Sequence, residues 1–180
     1  MPTPDRTSLS EIVEAGRDLL EEAGPTGITM QNVAARVGVR APSLYKRVRD
    51  LDALREAVNT ANLNELADQV VAADTSLEAL ARAFRAFAHA RPEGFRLLFA
   101  AGAPVAALGR ASVPVIDRAR ELVGEDHALD AARLITAWAT GFVSMELAGA
   151  FRLGGDVDQA FEYGIETLNR GLTARRADEA

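Results

Sequence analysis

The most concentrated chemical feature of the sequence is a cationic stretch that contains no acid. Residues 28–49 hold five Lys or Arg side chains and neither Asp nor Glu. The five cations are Arg36, Arg40, Lys46, Arg47 and Arg49. The whole chain is acidic, since 20 basic and 26 acidic residues give a net charge of −6. A small cationic face on an acidic body favours contact with phosphate through one surface only.

Groups for catalysis and metal binding are scarce in comparison. The chain has no cysteine and only two histidines, His89 and His127. Thiolate sites are therefore excluded, and an imidazole site is poorly supplied. No serine spacing places a nucleophile beside a base. We expect no catalytic residue, no metal site and no cofactor.

Membrane insertion and secretion are also not predicted. No apolar run approaches the roughly 18 to 20 residues that a bilayer span needs. Asp5, Arg6 and Glu11 stand where a signal peptide would require an apolar stretch. We therefore expect no membrane partner and a cytoplasmic location.

Helical spacing positions the cationic stretch. Apolar residues recur at steps of three and four from Leu9 to Ala23, and Ser8 with Glu11 has the spacing of a capping box. Thr29 can cap a second, short helix, which Gly38 ends by a sharp turn. Pro42 suits the first turn of a third helix.

The third predicted helix has two chemically different sides. Leu44 and Val48 are one turn apart and should point to the core. The opposite side then presents Arg40, Ser43 and Lys46 to solvent. A short helix with a cationic and hydroxyl face can enter the major groove of DNA and reach phosphates and base edges.

The rest of the chain is predicted to be helical. Long helices are expected from Leu51 and over residues 77–88, 128–151 and 156–172, and Pro114 is expected to delay the start of another until about Ser112. No alternating strand pattern of useful length occurs. The sequence predicts an all-α fold of about nine helices. We divide it into a three-helix domain over residues 8–50 and a larger bundle over residues 51–174, with the helix from Leu51 as the mechanical link.

The residues of the short helices carry a family resemblance. Residues 29–34, Val37-Gly38-Val39 and residues 42–48 resemble the DNA-binding domain of the TetR family of bacterial transcriptional regulators. The resemblance implies a helix-turn-helix repressor that binds a palindromic operator as a homodimer and is released by a small hydrophobic effector. The implied DNA contacts are Thr29, Gln31, Arg40, Ala41, Pro42, Ser43, Tyr45, Lys46 and Arg49.

The sequence departs from the family pattern at the start of its fourth helix. Many members have a lysine there for phosphate contact, and this chain has Leu51. We suggest that Arg49 takes the place of that lysine.

A second resemblance concerns the predicted dimer surface. Trp138, Gly141 and Phe142 resemble a TetR C-terminal subfamily with Trp and His-Gly in one helix, although Thr140 stands at the histidine position. Small residues spaced by four, three and four also leave a groove for a second helix. We predict a four-helix dimer interface, with tight packing inside one chain as the alternative. Its residues are Ala137, Gly141, Ser144, Ala148, Phe161, Gly164 and Leu168.

The other face of the same helix is the predicted lining of an effector pocket. Its aromatic residues, together with those of neighbouring helices, could enclose a small apolar molecule, although aromatic stripes are also typical of a plain core. The predicted lining is Phe84, Phe87, His89, Phe95, Phe99, Trp138, Phe142 and Met145. His89 and Glu146 are candidate polar anchors, with a purely structural role as the alternative.

Two interpretations from other classes stay open at this point. A helical small-molecule-binding protein without sequence-specific DNA binding would explain the aromatic bundle, and Leu51 favours it. A small all-α enzyme would need Glu146 or His89 to handle a proton.

Overall fold

The computed structural model describes residues 7–99 and 105–178, and side chains for residues 7–99 and 105–174. Within these ranges the chain forms nine α-helices, one short 3₁₀ helix and no strand, which confirms the all-α prediction. The α-helices are α1 (Leu9–Ala23), α2 (Met30–Arg36), α3 (Ala41–Leu44), α4 (Leu51–Ala72), α5 (Leu77–Ala90), α6 (Pro92–Leu97), α7 (Val105–Val123), α8 (Ala128–Leu147) and α9 (Val157–Asp178). The 3₁₀ helix is Pro25–Gly27.

The chain divides into two compact units. The first comprises Met1–Glu65 and Arg91–Leu108, and the second comprises Leu66–Ala90 and Gly109–Ala180. These limits differ from the predicted boundaries, because the first part of α4 and the whole of α6 belong with the N-terminal helices. Three short helices bury too little apolar surface to be stable alone, so they need these additional partners.

The first unit has a core shared by α1, α2, α3 and α4. Its apolar side chains leave at most 9% of their surface exposed. The two ends of the predicted α1 stripe, Leu9 and Ala23, are instead exposed. A Cβ at Gly16 would lie 2.7 Å from Val58 Cγ2, so the backbones of α1 and α4 approach closely. The core consists of Ile12, Val13, Ala15, Leu19, Leu20, Ile28, Met30, Val33, Ala34, Leu44, Val48, Leu54 and Val58.

The second unit is organised around a cluster of aromatic rings from α8 and α9. Phe161 of α9 is fully buried, and its ring centroid lies 5.4 Å from that of Trp138 and 5.2 Å from that of Phe142. The Arg85 guanidinium of α5 lies 4.7 Å from the Phe161 centroid, within the range of a cation–π contact. A Cβ at Gly164 would lie 2.2 Å from Trp138 Cζ2, so only glycine allows this approach.

Three predicted helix limits are wrong. Residues 105–123 form one helix with Pro114 inside it, so regular structure does not wait for Ser112. Proline lacks its own N–H bond and crowds the carbonyl four residues earlier, but the turns on either side continue here. Helix α8 ends at Leu147 instead of residue 151, because Gly149 has a φ of +62° and its N–H donates to Glu146 O at 2.9 Å. Helix α9 continues to Asp178, beyond the predicted end at residue 172.

Candidate nucleic-acid interface

The turn between α2 and α3 has the predicted geometry. Thr29 caps α2, since its Oγ1 accepts a hydrogen bond from the Asn32 N–H at 3.1 Å. Gly38 has a φ of +74°, a conformation that few other residues tolerate. The Val39 N–H then donates to Ala34 O at 2.9 Å and closes the turn. These local interactions hold α3 at a defined angle to α2.

Helix α3 is a single turn with one buried side. Leu44 is fully buried and Val48, just beyond the helix, is 5% exposed. Pro42 lies in the first turn, as predicted. The apolar anchors therefore fix which side of α3 faces solvent.

The structure places most of the predicted DNA contacts on the surface. Tyr45 is 55% exposed although it is aromatic. Thr29 and Ala41 are half-buried, and the other seven predicted residues are exposed. The exposed residues are Gln31, Arg40, Pro42, Ser43, Tyr45, Lys46 and Arg49.

The cationic face is smaller than the sequence indicates, because one of its cations is neutralised by α1. Arg36 Nη1 and Nη2 donate to Glu22 Oε1 and Oε2 at 3.1 and 2.5 Å, and Asp18 Oδ2 is 3.9 Å from Nη1. The hydrogen bonds from Arg36 lower the pKa of the Glu22 carboxyl. Inspection of residues 28–49 alone could not reveal this pairing, since both acids come from the preceding helix.

A second cation is held by its own neighbour. Arg49 Nε donates to Asp50 Oδ2 at 2.7 Å, while Asp50 Oδ1 accepts from the Ala53 N–H at 2.8 Å and caps α4. A carboxylate thus already occupies the N-terminus of α4 beside Arg49. Within the described residues, Arg40 and Lys46 take part in no ion pair. These two side chains are the cations most available to a phosphate.

Comparison with known proteins gives the same assignment. A family model described as "Bacterial regulatory proteins, tetR family" matches residues 5–58, and one described as "Tetracyclin repressor-like, C-terminal domain" matches residues 77–168. The chain is 30% identical to the tetracycline repressor protein class A from transposon 1721 of Escherichia coli, over 92% of this chain and 90% of that protein. The chain belongs to the TetR family. It is therefore a DNA-binding transcription regulator of the helix-turn-helix type.

Other relatives agree with the TetR assignment. An uncharacterized HTH-type transcriptional regulator of Mycobacterium tuberculosis is 27% identical, over 96% of this chain and 84% of that protein. A solved structure from Rhodococcus sp. RHA1, described as a protein with unknown function, has the same fold. Its TM-score is 0.80 at 24% identity, with coverage of 96% of this chain and 100% of that one. No described helix has the length and apolar character needed to cross a membrane.

The predicted effector residues of this TetR chain do not fall in one compact unit. Phe95 and Phe99 belong to the first unit, and the other six belong to the second. Phe87 is fully buried, whereas Phe99 and Met145 are 48% and 49% exposed. A surface groove of the second unit contains one of the eight, His89, among charged neighbours. The pocket as predicted thus stays a prediction.

The predicted dimer surface needs one correction. Phe161 is fully buried among the rings of its own chain and cannot contact a partner, so its assignment to the interface is wrong. Gly164 packs on Trp138 of the same chain, which matches the alternative of tight internal packing. Leu168 is half-buried. The three α8 residues at positions 137, 141 and 144 and the C-cap residue Ala148 are all exposed.

The polar atoms of Glu146 and His89 bind other side chains of the same chain. Arg85 Nε donates to Glu146 Oε2 at 2.9 Å, and His89 Nε2 lies 3.2 Å from the same oxygen. Arg85 Nη2 also pairs with Asp158 at 2.6 Å. This network joins α5, α8 and α9, and it supports the structural role that the sequence left open.

The network predicts a loss of stability in acid. Hydrogen bonding from Arg85, and then from His89, lowers the pKa of the Glu146 carboxyl below its ordinary value of 4.5, although partial burial opposes the shift. A carboxyl whose pKa falls on folding stabilises the fold above its unfolded pKa, and this contribution is lost as the pH falls through the folded value. We expect Glu146→Gln to lower the free energy of unfolding at neutral pH by about 1–3 kcal/mol.

Thermal unfolding of the wild type and of Glu146→Gln over a pH series measures this effect. The difference between them should shrink once the pH drops below 4.5. Glu166→Gln, a change at an exposed position of α9, is the control and should behave like the wild type. A constant difference at all pH values would contradict the assignment.

Proposed function

We propose that this TetR-family chain is a ligand-responsive repressor that binds a palindromic operator as a homodimer and is released by a small hydrophobic effector. The observation that carries the proposal is the exposed face of α3. Arg40, Ser43 and Lys46 lie in solvent on the side opposite to the buried Leu44. Cationic and hydroxyl groups on a short, firmly anchored helix are suited to phosphates and base edges in the major groove.

Dimerisation is proposed through the exposed stripe of small residues on α8. A Cβ at Gly141 would meet no atom within 4 Å, so packing inside the chain gives no reason for a glycine there. The neighbouring Leu134 and Met145 are 50% and 49% exposed, which adds apolar area to the same helix. Small residues allow a second helix to approach closely, and this supports an interface formed by two copies of α8.

The proposed response to an effector is a shift between two conformations. A dimer must hold its two α3 helices about one duplex turn apart, roughly 34–36 Å, to reach adjacent major grooves. An effector that binds more tightly to a conformation with another spacing lowers operator affinity by its differential binding energy. Helix α4 contributes residues to both compact units, and we propose it as the connection.

The chemistry of the effector is proposed from the second unit and from one relative. Trp138 and Phe142 are half-buried and Phe151 is 39% exposed beside the buried Phe161. The Escherichia coli relative is a repressor named for tetracycline, a small molecule. Both observations support a small hydrophobic ligand in this chain.

Gel shifts with DNA that flanks the coding region of this protein test the function. We expect specific binding whose affinity falls steeply as the salt concentration rises, because counterions are released from the neutralised phosphates. Absent or salt-insensitive binding would instead favour a helical small-molecule-binding protein without sequence-specific DNA recognition.

Replacing Gly141 tests the proposed dimer surface. The wild type should sediment at twice the chain mass of 19.2 kDa at micromolar concentration, and Gly141→Glu should sediment as the single chain. Two glutamates would then face each other across the interface. Like-charge contacts of this kind cost several kcal/mol, and this is enough to dissociate the dimer. The matched control is Gly109→Glu in α7, where a Cβ also meets no atom within 4 Å. A Gly141→Glu variant that stays dimeric would show that the interface does not include this stripe.

A further inference from the structure

A buried polar pair joins α1 to α4 in the first unit. Over the described residues, Arg17 and Asn62 are the two polar or charged side chains that are buried, at 6% and 0% exposed. Arg17 Nε donates to Asn62 Oδ1 at 2.8 Å. The other guanidinium nitrogens bind Glu14 Oε1 at 2.9 Å and form an ion pair with Glu65. Each of the three guanidinium nitrogens of Arg17 therefore has its own hydrogen-bonding or ionic partner.

Helix α6 is attached at the same place. Glu21 of α1 accepts hydrogen bonds from the N–H groups of Glu93 and Gly94, at 3.0 and 2.9 Å. A Cβ at Gly94 would lie 2.9 Å from Asn62 Nδ2, so α6 packs directly on the buried amide. Asn59, one turn earlier on α4, donates to the carbonyl of Leu97 at 3.5 Å. Polar contacts from α1 and α4 therefore hold both ends of α6.

The buried pair is not explained by stability. Asn62 Nδ2 is buried and has no hydrogen-bond partner, and Arg17 carries a charge into the interior. Unpaired buried donors and buried charges destabilise a fold relative to apolar side chains of similar size. Where a sequence departs from good packing in this way, a functional role is the usual reason.

Directional hydrogen bonds can determine the axial register of two helices, which apolar contacts alone do not determine. The remaining α1–α4 interface is apolar, as where Gly16 meets Val58, and apolar contacts tolerate sliding because they have no preferred direction. The Arg17–Asn62 hydrogen bond is satisfied in one axial register only. Since α1 shares a core with α2 and α3, its register on α4 also determines where α3 lies relative to α4.

We propose that Arg17 and Asn62 are positioning residues for DNA recognition: they set the axial register of α1 on α4 and α6, and so the placement of the exposed face of α3. This inference rests on the proposed function only in assigning that face to DNA. The register itself is a property of the first unit and can be measured without DNA.

The test replaces the polar pair by apolar residues of similar size in the full-length protein. Arg17→Met/Asn62→Leu should unfold at the same temperature as the wild type or higher, because Glu65 is partly exposed and keeps Arg91 Nε at 3.6 Å as its ion-pair partner. Its affinity for the DNA fragment used in the gel shifts should nevertheless fall about tenfold, the scale of effects from coupled residues that do not touch the ligand. Amide hydrogen exchange of Glu93 and Gly94, followed by NMR, should become faster because α6 is held less firmly. The single change Arg55→Met, at an exposed arginine of α4, is the control and should alter none of the three measurements.

Glu21→Gln gives a second, milder test. An amide retains one acceptor and replaces the other by a donor, so one of the two bonds to α6 is lost. We expect faster exchange at Glu93 and Gly94 and weaker DNA binding in this variant. Unchanged exchange or unchanged affinity in both variants would overturn the proposal. A double variant that loses stability would overturn it also, since the pair would then be holding the fold together. If the wild type binds no DNA, the proposed function fails. The exchange data still test whether the polar pair sets the register of α1 on α4 and α6.

Discussion

Replacing Arg40 and Lys46 together by alanine is expected to lower the affinity for operator DNA by about 100-fold or more. Both side chains are exposed on the solvent face of α3, and neither takes part in an ion pair among the described residues. A contact from such a side chain contributes about 1–3 kcal/mol to binding, and two contacts add when they are independent. The slope of log affinity against log salt concentration is negative, and its magnitude should decrease by about 0.9 for each of the two side chains that neutralises a phosphate.

Gel shifts at several salt concentrations measure both quantities, and circular dichroism checks that the helices are retained. Arg133→Ala/Arg152→Ala removes the same charge from exposed positions of the second unit and serves as the control. It should leave the affinity nearly unchanged. Equal losses in the two double variants would mean that overall charge, and not the face of α3, determines binding.

Replacing Phe161 by alanine is expected to lower the free energy of unfolding by about 3–5 kcal/mol. The side chain is fully buried, its ring lies against Trp138 and Phe142, and the Arg85 guanidinium lies over it. Truncation would leave a cavity at the centre of the second unit, and the rings around it cannot collapse fully. Denaturant unfolding followed by tryptophan fluorescence is suited to the measurement, since Trp138 is the single tryptophan of the chain.

Tyr163→Ala is the matched control for this change. Tyr163 lies two residues further along α9 and is 72% exposed, so its removal should change the free energy of unfolding by no more than about 0.5 kcal/mol. A Phe161→Ala protein that keeps its stability but dissociates into single chains would contradict the internal position of this ring and restore it to the dimer surface.

The DNA-binding part of the chain is largely predictable because its sequence signals are local. The cap at Thr29, the left-handed glycine at position 38 and the proline in the first turn of α3 each act within a few residues. The one-turn spacing of Leu44 and Val48 then determines which side of α3 is buried. Local rules of this kind need no knowledge of the neighbouring helices.

The second unit was harder to predict because its signals are ambiguous. Aromatic and small residues at helical spacing indicate a buried face, but they do not say whether the neighbour is a ligand, a second chain or another helix of the same chain. The prediction places Phe161 and Gly164 against a partner, whereas both pack on Trp138 of the same chain. The α8 residues assigned by the same rule are exposed, and a Cβ at Gly141 would meet no atom within 4 Å.

The sequence by itself determined that the chain is helical, where most of its helices begin, and which face of α3 carries cations. Only the tertiary structure decided that Arg36 is neutralised by Glu22, that Phe161 lies inside the second unit and that a buried Arg17 meets Asn62. The physical reason is the range of the interactions. Caps and helical periodicity act over a few residues, whereas the partner of a buried side chain is set by packing between helices that can be 45 positions apart in the chain.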